Sequence, residues 1–251
     1  MGKASLAAAA SMLGLSVLPS GLQAAELNVL AGGGIAGPMR ELTAHFERAS
    51  GHKLAFRFGT TPELIKLAVS GGPFDLAVVP VDVFKDADAR ARFAAGPTTD
   101  IARVGLGVAV RAGAPKPDIA TSDALKHTLL KAQSIATIPA SATGSQLLKV
   151  FERLGINEEM KARIKPQPAP AALVQAVASG EADLGVFLTN VLTAPGVDLV
   201  GPFPSEVQQN VVFTSAVSAD SKEAEAARAF ITFLQTPAAT AVIRGMGMTP
   251  G

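Results

Sequence analysis

From residue 27 onward the chain alternates two rhythms. Short apolar runs of strand length are followed by stretches whose apolar residues recur every three or four positions. Residues 27–31 read as a strand, and 38–49 as a helix with Met39, Leu42 and Phe46 on one face. A strand over 53–58 precedes a helix over 62–70. An apolar strand over 75–79 precedes a charged helix over 83–94. This order predicts an α/β fold, a mainly parallel sheet with helices on both faces.

Near Pro97 the texture changes. Residues 104–110 read as a strand that runs into a proline-rich loop, and Thr121 or Ser122 can cap a helix over 124–132. The alternation then resumes with strands at 134–138, 163–165 and 183–187 and helices at 144–154 and 171–179. The segment QQNVVFTSAVSAD reads as a strand returning from this second unit, and helices over 221–235 and 237–244 follow. No solenoid repeat or low-complexity tract interrupts the order. Two α/β units and a returning tail predict two lobes, one of residues 26–102 with 218–251 and one of 103–217. The chain would cross between them near 98–103 and 207–218.

The first strand-to-helix joint, Gly32-Gly33-Gly34-Ile35-Ala36-Gly37, fits the dinucleotide fingerprint G-x-G-x-x-G. That fingerprint also needs an acid at the end of the second strand for the ribose hydroxyls. Here that strand ends Phe56-Arg57-Phe58-Gly59-Thr60, without one, so no cofactor is expected. The physics of the turn survives. Glycines allow positive φ and a close approach of backbone to ligand, Pro38 suits a first helical turn, and the helix start offers N–H groups at the positive end of its dipole. An anion suits such a place, although a tight turn needs no ligand at all.

The same kind of joint recurs. Gly59-Thr60-Thr61-Pro62 puts two hydroxyls at the next one, with Thr61 able to cap the helix. Ser141-Ala142-Thr143-Gly144 does likewise in the second unit, and Phe187-Leu188-Thr189-Asn190 follows its last apolar strand. Each alone is an ordinary cap. Together they lie beyond the carboxyl ends of strands, where open α/β sheets bind ligands. Gly33, Gly34, Thr60, Thr61, Ser141, Thr143, Gly144 and Thr189 are the candidate ligand contacts.

The N-terminus reads as a secretory leader over residues 1–25. Lys3 is its positive start, 6–18 its uncharged apolar stretch, and small residues permit cleavage after Ala24 or Ala25. The chain has 22 basic and 21 acidic residues, interspersed, so no basic stripe favours nucleic acid. It has no cysteine, hence neither disulfide nor lipid-modifiable thiol; export without either points to a free periplasmic protein, expected to be a monomer. Tyr and Trp are absent too, which weakens a sugar reading. His45, His52 and His127 show no metal-ligand spacing.

The chain resembles the periplasmic solute-binding proteins of the molybdate-binding type, which serve ABC importers. The resemblance rests on LNVLAGGGIAGPMRELTAHFERASGHKLAFRFGTTPELIKLAVSGGPFDLAVVP, SIATIPASATGSQLLKVFERLGI, VASGEADLGVFLTN and AARAFITFLQTPAATAVIRGMGM, and covers essentially the whole chain after the leader. It implies the type II fold, two lobes that close on a ligand about a hinge, and importer membrane subunits as partners. The family's first-loop serine falls on Gly34, its second-loop Ser-Gly pair near Thr60 and Thr61, and its tyrosine near Leu188. The stretch GLGVAVRAGAPKPDI looks closer to a branch associated with organic acids, which includes an aconitate isomerase.

Arg103, near the expected hinge, could clamp a carboxylate through two parallel hydrogen bonds, and it completes the candidate set. Asp75 and Asp183, beside apolar strands, read as structural acceptors. An isomerase would need a general base within reach of its substrate, and no residue is legible in that role. The sequence therefore favours capture of a small anion, an organic carboxylate before molybdate, for an importer. An isomerase of a small tricarboxylate is the alternative, and a scaffold protein would leave the four loops unexplained.

Overall fold

A computed structural model describes residues 24–251. The expected leader, save Ala24 and Ala25, lies outside the described residues. The first lobe opens with β1 (Glu26–Gly32), a 3-10 turn (Gly33–Ile35) and α1 (Ala36–Ser50). Then come β2 (Lys53–Gly59), α2 (Thr61–Val69) and β3 (Leu76–Pro80). β1 pairs in parallel with both β2 and β3. Val29, Leu30 and Ala31 of β1 and every residue of β3 are buried, as expected of strands covered on both faces. Met39, Leu42 and Phe46 of α1 are buried as their spacing predicts.

The charged helix expected over 83–94 is broken. A 3-10 turn (Val81–Lys85) gives way at Asp86 to the short α3 (Ala87–Arg90). Asp86 has an extended backbone, and its carboxylate accepts from the Ala89 N–H at 2.9 Å. A side chain that caps a new helix competes with continuation of the old one.

β4 (Thr99–Arg111) joins the two lobes. Its first half pairs with β9 up to Gly105, and its second half, from Leu106, with β7. The second lobe contains α4 (Ser122–Lys131), β5 (Ile135–Thr137), α5 (Ala142–Leu154), α6 (Asn157–Lys161), β6 (Ile164–Pro166), α7 (Pro170–Ala178), β7 (Leu184–Leu188) and β8 (Val197–Pro202). β5 lies parallel between β6 and β7. β9 (Asn210–Val217) then pairs with both β3 and β4, and α8 (Ala224–Leu234), α9 (Pro237–Gly245) and β10 (Thr249–Pro250) end the chain. Phe230 of α8 meets Phe46 of α1 edge to face at 4.9 Å, so the tail packs on the first lobe.

By these pairings β9 belongs to the first lobe's sheet, and we place the return crossing at 203–209. Gln208 fixes it there. Its side-chain amide accepts from the Leu106 N–H at 2.9 Å and donates to the Leu106 carbonyl at 3.0 Å, replacing a strand neighbour where β4 changes sheets. Gly105 leaves the room: a Cβ there would lie 2.9 Å from Gln208 Nε2.

Candidate functional site

Between the lobes lies a cavity of about 260 Å³. The 3-10 turn that precedes α1 and the first turns of α2, α5 and α7 surround it, through Gly33 and Gly34, Thr60 and Thr61, Ser141 to Thr143, and Ala169 and Pro170. Opening N–H groups of a helix have no intrahelical acceptor, so these ends present donors and positive dipole ends to one space. Pro62 and Pro170 start their helices without wasting an N–H there.

The cleft is closed. The Ala142 N–H of the second lobe donates to Thr61 Oγ1 of the first at 3.0 Å. On the other side Asn190 Nδ2 donates to the Gly34 carbonyl at 2.9 Å. Each such bond stabilises the closed form by about 0.5–1.5 kcal/mol.

The hydroxyls divide into spent and free. Thr60, rather than Thr61, precedes α2, and its N–H and hydroxyl both donate to Glu63 Oε2, at 2.8 and 2.9 Å. Ser141 caps α5: its Oγ accepts from the Gly144 N–H at 3.0 Å and donates to the Ile138 carbonyl at 2.6 Å. Thr61 uses its oxygen as acceptor and keeps its proton. Thr143 is buried and lines the cavity, and among the described residues no protein group bonds its hydroxyl. Thr61 and Thr143 are thus the side-chain donors left for a ligand.

Among the described residues, Glu63 is the one ionisable group in the lining. The Thr60 backbone N–H and then its hydroxyl hold this carboxylate below its ordinary value, against a smaller opposing effect of burial. It is a charged wall at neutral pH. Among the described residues, no lysine, arginine or histidine lines the cavity.

The glycines act through space rather than twist. None of Gly32, Gly33, Gly34 and Gly37 has positive φ. A Cβ on Gly32 would lie 2.6 Å from Phe213 Cε1, and one on Gly34 would lie 2.5 Å from Leu188 Cδ1 and 3.0 Å from Phe213 Cζ. Leu188 and Phe213 therefore fill the space beside the turn, and the cavity has an apolar floor.

Three expected contacts are not brought to the cavity lining. Arg103 sits on the part of β4 opposite Thr249 of β10, its side chain half exposed and paired with Asp100 at 3.1 Å. Its neighbours Ala102 and Val104 are buried, so the pleat sends Arg103 outward. Thr189 donates its N–H to the Gly105 carbonyl and packs against β4 at Gly107. Gly144 is an internal spacer: a Cβ there would lie 2.3 Å from the Pro139 carbonyl oxygen. Gly33, Gly34, Thr60, Thr61, Ser141 and Thr143 do line the cavity. The sequence reading missed Glu63, Asn190 and the floor. Thr60 and Glu63 at a T-x-x-E spacing were a legible capping signal; the floor joins residues too far apart in the chain to be paired by pattern.

The family profile described as bacterial extracellular solute-binding protein matches residues 27–249. This chain belongs to that family. Within these solute-binding proteins it is of the molybdate-binding type: it is 27% identical to the molybdate-binding protein ModA of Azotobacter vinelandii over 94% of both chains. The structure of the periplasmic molybdate-binding protein from that organism superposes with a TM-score of 0.72 at 21% identity, covering 89% of this chain and 98% of the other. The two-lobe α/β fold of type II is therefore shared. The chain is also 34% identical to an aconitate isomerase of a Pseudomonas species, over 98% of this chain and 95% of that one.

Proposed function

We propose that this solute-binding protein captures a small organic carboxylate in the periplasm and delivers it to the membrane subunits of an ABC importer. The observation that carries the reading is the cavity between the lobes where the starts of α2, α5 and α7, the glycine turn before α1 and the free hydroxyls of Thr61 and Thr143 converge. Such a set binds an anion through neutral donors. A carboxylate is favoured over molybdate by the floor, since the position that resembles the family's serine is Gly34 and the space beside it is held by Leu188 and Phe213. Fewer donors then face a compact tetrahedral oxyanion.

A thermal-shift panel of carboxylates, molybdate, sulfate, phosphate, sugars and amino acids tests this. A ligand at a hundred times its dissociation constant stabilises the fold by about 2.7 kcal/mol, a rise of about 5–11 °C for a chain of this size. A large shift with molybdate and none with any carboxylate would refute the proposal.

The likeness to an aconitate isomerase supports a second reading, an isomerase on the same scaffold. Its base would have to be Glu63, the ionisable group of the lining, whose carboxylate is committed to Thr60 and weakened as a base. Following cis- and trans-aconitate by chromatography decides it: conversion beyond one equivalent makes the protein an enzyme. For maturation, cleavage after Ala24 suits the fold better than cleavage after Ala25. Ala25 is buried, its nitrogen bonds His52 Nδ1 at 3.1 Å, and its carbonyl accepts from the Lys53 N–H. Intact mass of the exported chain distinguishes the two.

A further inference from the structure

The cavity lining has two chemically different parts. At one, Thr60 bonds Glu63 and, across the cleft, the Ala142 N–H bonds Thr61, while Ser141 caps α5 and the Thr143 hydroxyl stays free beside them. At the other, Gly32 and Gly34 lie against Pro80, Leu188 and Phe213 with no space for a Cβ between them. We infer that the ligand is amphipathic: one carboxylate held at the hydroxyl end, and an apolar body laid on the Leu188–Phe213 floor. This rests on the carboxylate reading above and narrows it to a class.

Size, charge and desolvation agree. An apolar cavity of about 150 Å³ takes up benzene, so about 260 Å³ holds a body of that size with a carboxylate attached. One carboxylate has two oxygens, which Thr61, Thr143 and the unpaired N–H groups of α2 and α5 can serve. A second carboxylate would be pressed on Leu188 and Phe213, neither of whose side chains can replace its water, or crowded beside the first at the hydroxyl end, adding to the repulsion from Glu63 that the first already meets. Among the described residues no cation in the lining offsets either cost. Arg103, the cation expected to clamp a carboxylate, is paired with Asp100 outside the cleft. Glu63 thereby becomes the residue that discriminates against additional negative charge.

The test is calorimetric titration of the mature protein with benzoate, 4-methylpentanoate, succinate, the tricarboxylate tricarballylate, benzamide and molybdate. The better of the two monocarboxylates should bind about tenfold or more tighter than succinate and tricarballylate. Benzamide should be about tenfold or more weaker than benzoate, the ratio expected when a hydrogen bond to a charged group becomes neutral. Glu63→Gln keeps a side chain that suits a capping box and should narrow the gap between mono- and tricarboxylate. A di- or tricarboxylate binding as tightly as the monocarboxylates, or tighter, overturns this inference and leaves the carboxylate reading standing. Binding of molybdate alone, or of no carboxylate, overturns the carboxylate reading itself.

Discussion

The joints at Gly34 and at Gly144 look alike in sequence, each a glycine at the start of a long helix, and they do opposite things. Gly34 makes room for side chains from elsewhere, with Leu188 and Phe213 filling the space its missing Cβ leaves. Gly144 makes room for its own backbone, whose Pro139 and Ile138 carbonyl oxygens would lie 2.3 and 2.6 Å from a Cβ. The hydroxyls divide in the same way. Ser141 is consumed in holding its loop, while Thr143, two residues on, is open to the cavity. A residue type at a strand-to-helix joint therefore announces a place where a ligand can bind. Which neighbour faces the ligand depends on where each hydrogen bond goes.

The largest expected effect breaks the glycine comparison. Gly144→Ala sets a methyl against rigid backbone and should destabilise the protein by about 1–3 kcal/mol or more, a fall in Tm of about 2–12 °C. Gly34→Ala meets the end of the Leu188 side chain, which can swing, so its Tm should fall less while its affinity for ligand drops. Equal Tm losses with unchanged binding would erase the distinction.

Next come the hydroxyls. Thr143→Val should weaken carboxylate binding by about 10- to 100-fold, the loss of a hydrogen bond to a charged group, with stability nearly unchanged. Ser141→Ala should cost about 1 kcal/mol of stability through the lost cap and much less affinity than Thr143→Val. Titration calorimetry beside thermal melts reads both, and the reverse pattern would exchange their roles.

The smallest effect is a pH dependence at the rim. Thr60 holds the Glu63 carboxylate below its ordinary value of 4.5, so its cap stabilises the fold fully above that pH. The contribution is lost as pH falls through the lowered value. Glu63 is largely exposed, so the effect is modest. Melts between pH 3 and 6 should show a shallower acid loss in Glu63→Gln than in the unaltered protein, and parallel curves would count against the cap.

Much of the fold was legible because local rules decide it. The α1 face of Met39, Leu42 and Phe46 and the strand-then-helix order follow from periodicity. β4 was read only from residue 104, because its start is polar: Thr99 and Asp100 belong to the strand through pairing with β9. β8, among prolines and glycines, was not read at all, and it exists by pairing with β4. In the site, the loops at 33–34, 60–61 and 141–143 were legible from glycines and hydroxyls beside proline or helix starts. The outward turn of Arg103 was not, because strand pleat and β10 pairing set it. Nor was the floor, where Gly34 meets Leu188 and Phe213 only after both lobes have folded and closed.

The most direct test of the account is a crystal structure with the tightest-binding carboxylate. The carboxylate oxygens should lie about 2.7–3.2 Å from the Thr143 and Thr61 hydroxyls and from N–H groups opening α2 and α5, with the rest of the molecule against Leu188 and Phe213. A carboxylate held by Arg103, or seated outside the cavity between the lobes, would contradict it.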